Sequence, residues 1–258
     1  MGISQAYAYF LASYKKSLIY KYNVLLRLLG VFILVGTQYY IWTSIMIKSD
    51  SKVIYQALTY AIFSRLFVFI LPGSHTVRFI SDKIINGSIQ IDLLRPIKLI
   101  VSSIFNDLGY FVFNFIFLLL PSIVVIFLFF DIKIYYLNLY FFESLFLSII
   151  LAFLISYCIG LLSMWFGNIW GINEFYTALV SIFGGSLIPL QFYPEWLRFL
   201  AMILPFQSIY FTPLAFFSGI VENSFSLIIV QLSWVIIFIV VTFILELIVR
   251  AKMAYMGG

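Results

Sequence analysis

Two ionisable side chains, Arg65 and Asp107, stand inside long apolar runs of this sequence. At the centre of a bilayer such a charge costs about 2.5–3.5 kcal/mol on insertion scales, so each needs a partner. Arg65 is six positions from one end of its run, and Asp107 is about eight positions into the next. At 1.5 Å per residue this is about 9 and 12 Å of depth from the same side. The spacing predicts an Arg65–Asp107 ion pair that fixes two helices together, with a role in substrate passage as the alternative. Other chemistry is sparse. His75, the one histidine, has no neighbouring metal ligands and stands beside a polar loop. Cys158, the one cysteine, lies in an apolar run and reads as a packing residue. Glu143 and Glu246 fall near run ends within reach of water, and Glu174 has no assignable role. No G-x-x-x-x-G-K-[ST] phosphate loop occurs. The chain is therefore expected to bind no cofactor or metal itself, and ATP could drive it only through a second polypeptide.

The elements that carry these residues belong in a membrane. Of 258 residues, 64% are hydrophobic and 10% are charged, against roughly 25% charged in ordinary soluble domains. A soluble domain of this length could not bury so much apolar surface, whereas a bilayer removes the need. At about 20 apolar residues per crossing there is room for roughly six spans in one domain. The expected fold is an all-α membrane protein with six transmembrane helices. The net charge of +5 does not form a dense patch, so a nucleic-acid partner is rejected. The first apolar run is full-length and followed by others, which argues against a cleaved signal peptide.

Residues 1–24 form an amphipathic interfacial helix in this reading. Ile3, Tyr7, Phe10, Leu11, Tyr14 and Leu18 recur on one face, with Lys15 and Lys16 off it. Packing of this helix on the protein itself is the alternative. Spans follow at about Leu28–Ile47, Val53–Leu71, Leu99–Phe130 (with a kink at Pro121), Tyr140–Leu162, Phe175–Leu190 and Leu227–Val249. Residues 74–98 are the most polar stretch, opened by the breaker Pro72–Gly73. Residues 191–223 are apolar but broken by Pro194, Pro205, Pro213 and Gly219. Two short helices, Pro194–Ile203 and Pro205–Phe217, each opened by a proline, would form a re-entrant hairpin in the outer leaflet. With six crossings, ten Lys and Arg fall on the side of the termini: Lys15, Lys16, Lys21, Arg27, Arg78, Lys83, Arg95, Lys98, Arg250 and Lys252. Four fall opposite: Lys48, Lys52, Lys133 and Arg198. The bias predicts cytoplasmic termini. Tyr39, Tyr40, Trp42 and Trp196 suit an interfacial aromatic belt. The 21% aromatic content also suits an aromatic drug-binding cavity.

Three segments carry a family likeness. They are Ile85-Asn-Gly-Ser-Ile-Gln-Ile-Asp-Leu-Leu-Arg-Pro-Ile97, Gly185-Ser-Leu-Ile-Pro-Leu-Gln-Phe-Tyr-Pro-Glu-Trp-Leu197, and Leu204-Pro-Phe-Gln-Ser-Ile-Tyr-Phe-Thr-Pro213 followed by Ser218-Gly219. In this order the set resembles the ABC type-2 (exporter) permeases, in the six-span branch close to this length, over nearly the whole chain. Phe192-Tyr193-Pro194 stands where that branch has Phe-Phe-Pro and keeps an aromatic ring. The resemblance implies an ABC ATPase subunit in two copies, which holds the ATP and Mg. It also implies a second permease chain, either a related heterodimer partner or a homodimer, and residence in a bacterial plasma membrane among its lipids. A coupling helix within residues 75–96 would dock on the ATPase, with Asp82, Lys83, Gly87, Asp92, Arg95 and Pro96 as contact or shaping residues. The late hairpin would close the outer end of the path, shaped by Pro189, Pro194, Trp196, Pro205 and Phe206. Family analogy then implies export of an amphipathic drug, peptide antibiotic or lipid-like compound. An ion-coupled transporter would want ionisable residues at mid-span and matched broken helices in two halves. A non-transporting scaffold for an ATPase is the third reading.

Overall fold

The computed structural model describes residues 2–19, 22–45, 51–89, 98–130, 138–222 and 224–256. Helices dominate these residues, and none is in a strand. In chain order they are α1 (Gly2–Ile19), α2 (Tyr22–Ile45), α3 (Ser51–Phe67), α4 (Ser74–Ile85), α5 (Leu99–Phe129), α6 (Leu139–Leu161), α7 (Trp170–Phe183), α8 (Glu195–Ile203), α9 (Phe211–Ser218) and α10 (Phe225–Met256). By length and composition α2, α5, α6 with its short extension to Phe166, and α10 can each cross a membrane.

The other two expected spans are shorter. Helix α3 has 17 residues and α7 has 14, about 26 and 21 Å against a hydrocarbon core of about 30 Å. Helix α3 stops at Phe67, and residues 68–71 form a hydrogen-bonded turn ahead of Pro72. The residue before a proline resists helical geometry, so the apolar run outlasts the helix. At the other break, α7 starts at Trp170, within the expected loop, and ends at Gly184 and the positive-φ Gly185.

Helix α6 is the spine. Its residues Leu151–Leu161 are buried without interruption, and α4, α9 and α10 pack on it. Gly160 makes a close approach possible: a Cβ there would lie 2.8 Å from Cβ of Ile80 on α4. Small residues at such crossings are how membrane helices come close. Helix α5 is continuous through Pro121, but residues Phe115–Leu119 are π-helical. Pro121 has no N–H to give Phe117, and Leu120 N–H bonds Phe115 O instead. One wide turn absorbs the proline, in place of the expected kink.

Helix α1 packs along the first half of α5. At the crossing, a side chain on Gly109 would meet the Phe10 carbonyl and, at 3.0 Å, Ser13 Cβ. The buried face of α1 is the small one, Ala6 and Ser13, while Tyr7 is exposed. One side of the helix is thus packed on the protein, as the alternative to an interfacial placement expected.

Residues 184–222 bring broken backbone into apolar surroundings, and α3 satisfies much of it. Gln56, Tyr60 and Ser64 stand at i, i+4 and i+8, on one helical face. They donate to the carbonyls of Gly219 (2.6 Å), Gly185 (2.9 Å) and Ser186 (3.0 Å). On α10, buried Gln231 Nε2 is within 2.9 Å of Ser144 O, Ser148 Oγ and Ser208 O. These bonds supply what water cannot supply inside a membrane.

Candidate functional site

Helix α4 is where the polar chemistry gathers. Pro72–Gly73 turn the chain, and Ser74 to Ile85 wind into a helix with two faces. Thr76, Val77, Ile80 and Ser81 are buried, whereas Arg78 and Asp82 are exposed. The stretch expected to be a solvated loop thus begins as a helix packed in the bundle.

Its first turn is tied to two neighbours. Thr76 Oγ1 donates to Asp107 Oδ2 at 2.6 Å, and His75 Nδ1 lies 2.9 Å from Asp107 Oδ1. The Asp107 side chain is only 13% exposed. The His75 ring stacks on Tyr110 at 4.1 Å and 3°, and Arg27 Nη1 donates to the Tyr110 hydroxyl at 3.5 Å. Asn173 of α7 donates to Ser74 Oγ at 3.0 Å. Further along, Ile80 fits against Gly160 of α6.

The expected Arg65–Asp107 pair is not formed. Both residues line one cavity of about 300 Å³, with Tyr110, Tyr176 and Tyr210 also in its wall. The start of α4 satisfies the carboxylate, and Arg65 Nε is buried without a partner among the described residues. Helix α5 runs for 31 residues, about 46 Å and longer than a bilayer core, so counting inward from its first residue does not fix the level of Asp107. Helix α1 crosses α5 at Gly109, beside Asp107. His75 and Thr76 were missed as partners. The signal was present: Thr76, Val77, Ile80 and Ser81 have the i, i+1, i+4, i+5 spacing of a packed helical face.

The other expected site residues are distributed as follows. Asp82 is exposed on α4. The Lys83 ammonium lies over the Tyr9 and Phe79 rings, at 4.5 and 4.3 Å. Gly87, with φ +69°, ends α4 in the left-handed region, where a side chain would be strained. Asp92, Arg95 and Pro96 lie outside the described residues. In the late segment, Pro189 is buried ahead of the Leu190–Phe192 turn, and Pro194 caps α8. Trp196 is exposed on α8, Pro205 is buried at the start of a short turn, and the Phe206 ring lies 6.2 Å from Tyr176 of α7.

This geometry makes α4 a stiff rod of about 18 Å. One end is bonded to Asp107, its middle is locked on α6, and its other end exposes Asp82. A family model described as ABC-2 family transporter protein matches residues 53–251, from α3 almost to the end of α10. No curated protein matches the chain. The matched region holds the rod, the spine and the broken late segment, and the chain belongs to the ABC-2 family of transporter proteins.

Proposed function

We propose that this chain is the transmembrane permease subunit of an ATP-binding-cassette exporter that moves an amphipathic drug, peptide antibiotic or lipid-like compound out of a bacterial cell. Two copies of a separate ATPase bind ATP with Mg, and a second permease chain completes the path. The observation that carries this reading is α4, which is anchored through Thr76 and His75 on Asp107 and presents a polar end at Asp82. ATP binding draws the ATPases together. The exposed end of α4, with residues 86–98 after it, follows them, and α5 and α6 move in turn. The two permease chains then open outward, and hydrolysis resets them. The late segment around Pro194 and Trp196 closes the outer end. Both termini are cytoplasmic in this arrangement, as the Lys and Arg distribution requires. The broad exposed apolar face of α2, with Leu26, Ile33 and Ile41, meets lipid or the second permease chain.

The test is ATP hydrolysis in proteoliposomes that hold this chain with its ATPase. Hydrolysis exceeds that of the ATPase alone, and Asp82→Lys removes the increase. Equal rates with and without this chain would sink the proposal.

A further inference from the structure

A second cavity is unlike the first. An open cleft of about 550 Å³ lies between α1, the start of α2, α4 and α5. Lys16, Arg27, Arg78 and Lys83 line it, against one carboxylate, Asp82. Among the described residues, no carboxylate forms an ion pair with Lys16, Arg27 or Arg78. Asn106, only 7% exposed, also lines the cleft, and its Nδ2 donor has no partner among the described residues. The first turn of α4 contributes Ser74 and His75 to the wall. A buried amide donor and two guanidinium groups lining one space form a receptor for phosphate-type oxygens.

An apolar groove begins on the same turns of α2 that border the cleft. Between α2 and the far end of α5 runs a groove of about 200 Å³, lined by Leu25, Leu28, Phe32, Val35, Ile126 and Phe129, among others. Val24 and Arg27 border the cleft, and Leu25 and Leu28, on the same helical turns, border the groove. The cleft also contains Lys16 and Ser17 of the amphipathic helix, so it lies at the height of that helix. A polar anion receptor at that height, with an apolar groove starting on the neighbouring face of α2, offers the two parts that a phospholipid needs. Basic pockets of this kind between membrane helices take anionic headgroups.

We infer that this cleft binds the phosphate headgroup of an anionic lipid, with one acyl chain in the α2–α5 groove. The lipid's leaflet rests on the orientation proposed above; the chemistry of the site does not. Arg27 and Arg78 grip the phosphate oxygens, Asn106 supplies a neutral donor from below, and Lys16 adds charge from α1. The bound lipid ties α1 and α2 to α4.

The test uses the full-length chain in a neutral detergent, with lipid retention read by native mass spectrometry. Phosphatidylglycerol is titrated against phosphatidylcholine. Phosphatidylglycerol binds at least tenfold more tightly, its affinity falls in high salt, and Arg27→Gln with Arg78→Gln weakens it at least tenfold. Both arginines are exposed, so the double variant folds. Arg198→Gln, on a distant exposed arginine of α8, changes nothing. Three outcomes would overturn the inference. One is equal retention of the two lipids, or of phosphatidylglycerol by both proteins. Another is full displacement by inorganic phosphate at equal concentration, which would make the ligand a free anion. The third is loss of the lipid once the ATPase is bound, which would assign the cleft to that protein. None of these readouts depends on ATP hydrolysis.

Discussion

The bond from Thr76 to Asp107 is the latch between α4 and α5, and its strength can be measured. Thr76 has no exposed surface, and its hydroxyl reaches the carboxylate at 2.6 Å, a short length typical of a charged acceptor. Hydrogen bonds to charged groups contribute about 1.5–3 kcal/mol, whereas interhelical bonds in membrane proteins average about 0.6 kcal/mol. Thr76→Val keeps the shape and removes the donor, at a cost of about 2 kcal/mol. Asp107→Ala strands both the Thr76 hydroxyl and His75, at a cost of about 3 kcal/mol. The double variant loses little more than Asp107→Ala alone, so the cycle gives a coupling energy of about 2 kcal/mol. The assay is unfolding in mixed micelles of rising SDS fraction, followed by the fluorescence of the five tryptophans. Coupling under about 0.5 kcal/mol, within the additivity of independent sites, would refute the latch and the mechanical role of α4.

Gly160→Val puts a branched side chain against Ile80, whose Cβ would already lie 2.8 Å from an added Cβ. The variant remains in the membrane and loses its stimulation of ATP hydrolysis; full stimulation would show that the α4–α6 crossing is not needed. Gly109→Val forces α1 off α5 at the Phe10 carbonyl. A cysteine placed at buried Ser13 then reacts with a soluble maleimide at least tenfold faster than in the parent, and an unchanged rate would contradict the packing. Tyr60→Phe leaves the Gly185 carbonyl without its donor at 2.9 Å. It lowers stability by about 1–2 kcal/mol in the SDS assay, and a neutral effect would mean that water reaches the broken segment.

Much of the architecture was legible because it follows from one-dimensional patterns. Apolar runs marked α2, α5, α6 and α10, and Pro194 marked the helix of residues 195–203; the second expected helix, Pro205–Phe217, is instead a short turn over Pro205–Ser208 followed by a helix that begins only at Phe211. The depth of individual residues was not legible. Counting inward from Leu99 takes α5 to start at the membrane edge, yet a helix of 31 residues is longer than the hydrocarbon layer, so the count fixes no depth. For that reason Asp107 was matched with Arg65 instead of His75 and Thr76. Polarity also misled at residues 74–85, where exposed Arg78 and Asp82 concealed a buried face built from Thr76, Val77, Ile80 and Ser81. The α3 stripe of Gln56, Tyr60 and Ser64 went unread, because its partners are backbone carbonyls more than a hundred residues away.

The most direct test of the central claim is a mild-detergent pull-down of the tagged chain, expressed with its genomic neighbours. The account predicts that an ATPase with a phosphate loop co-purifies, and that reversing the charges of Asp92 and Arg95 abolishes the complex. Purification of this chain without an ATPase that is expressed beside it would contradict the account.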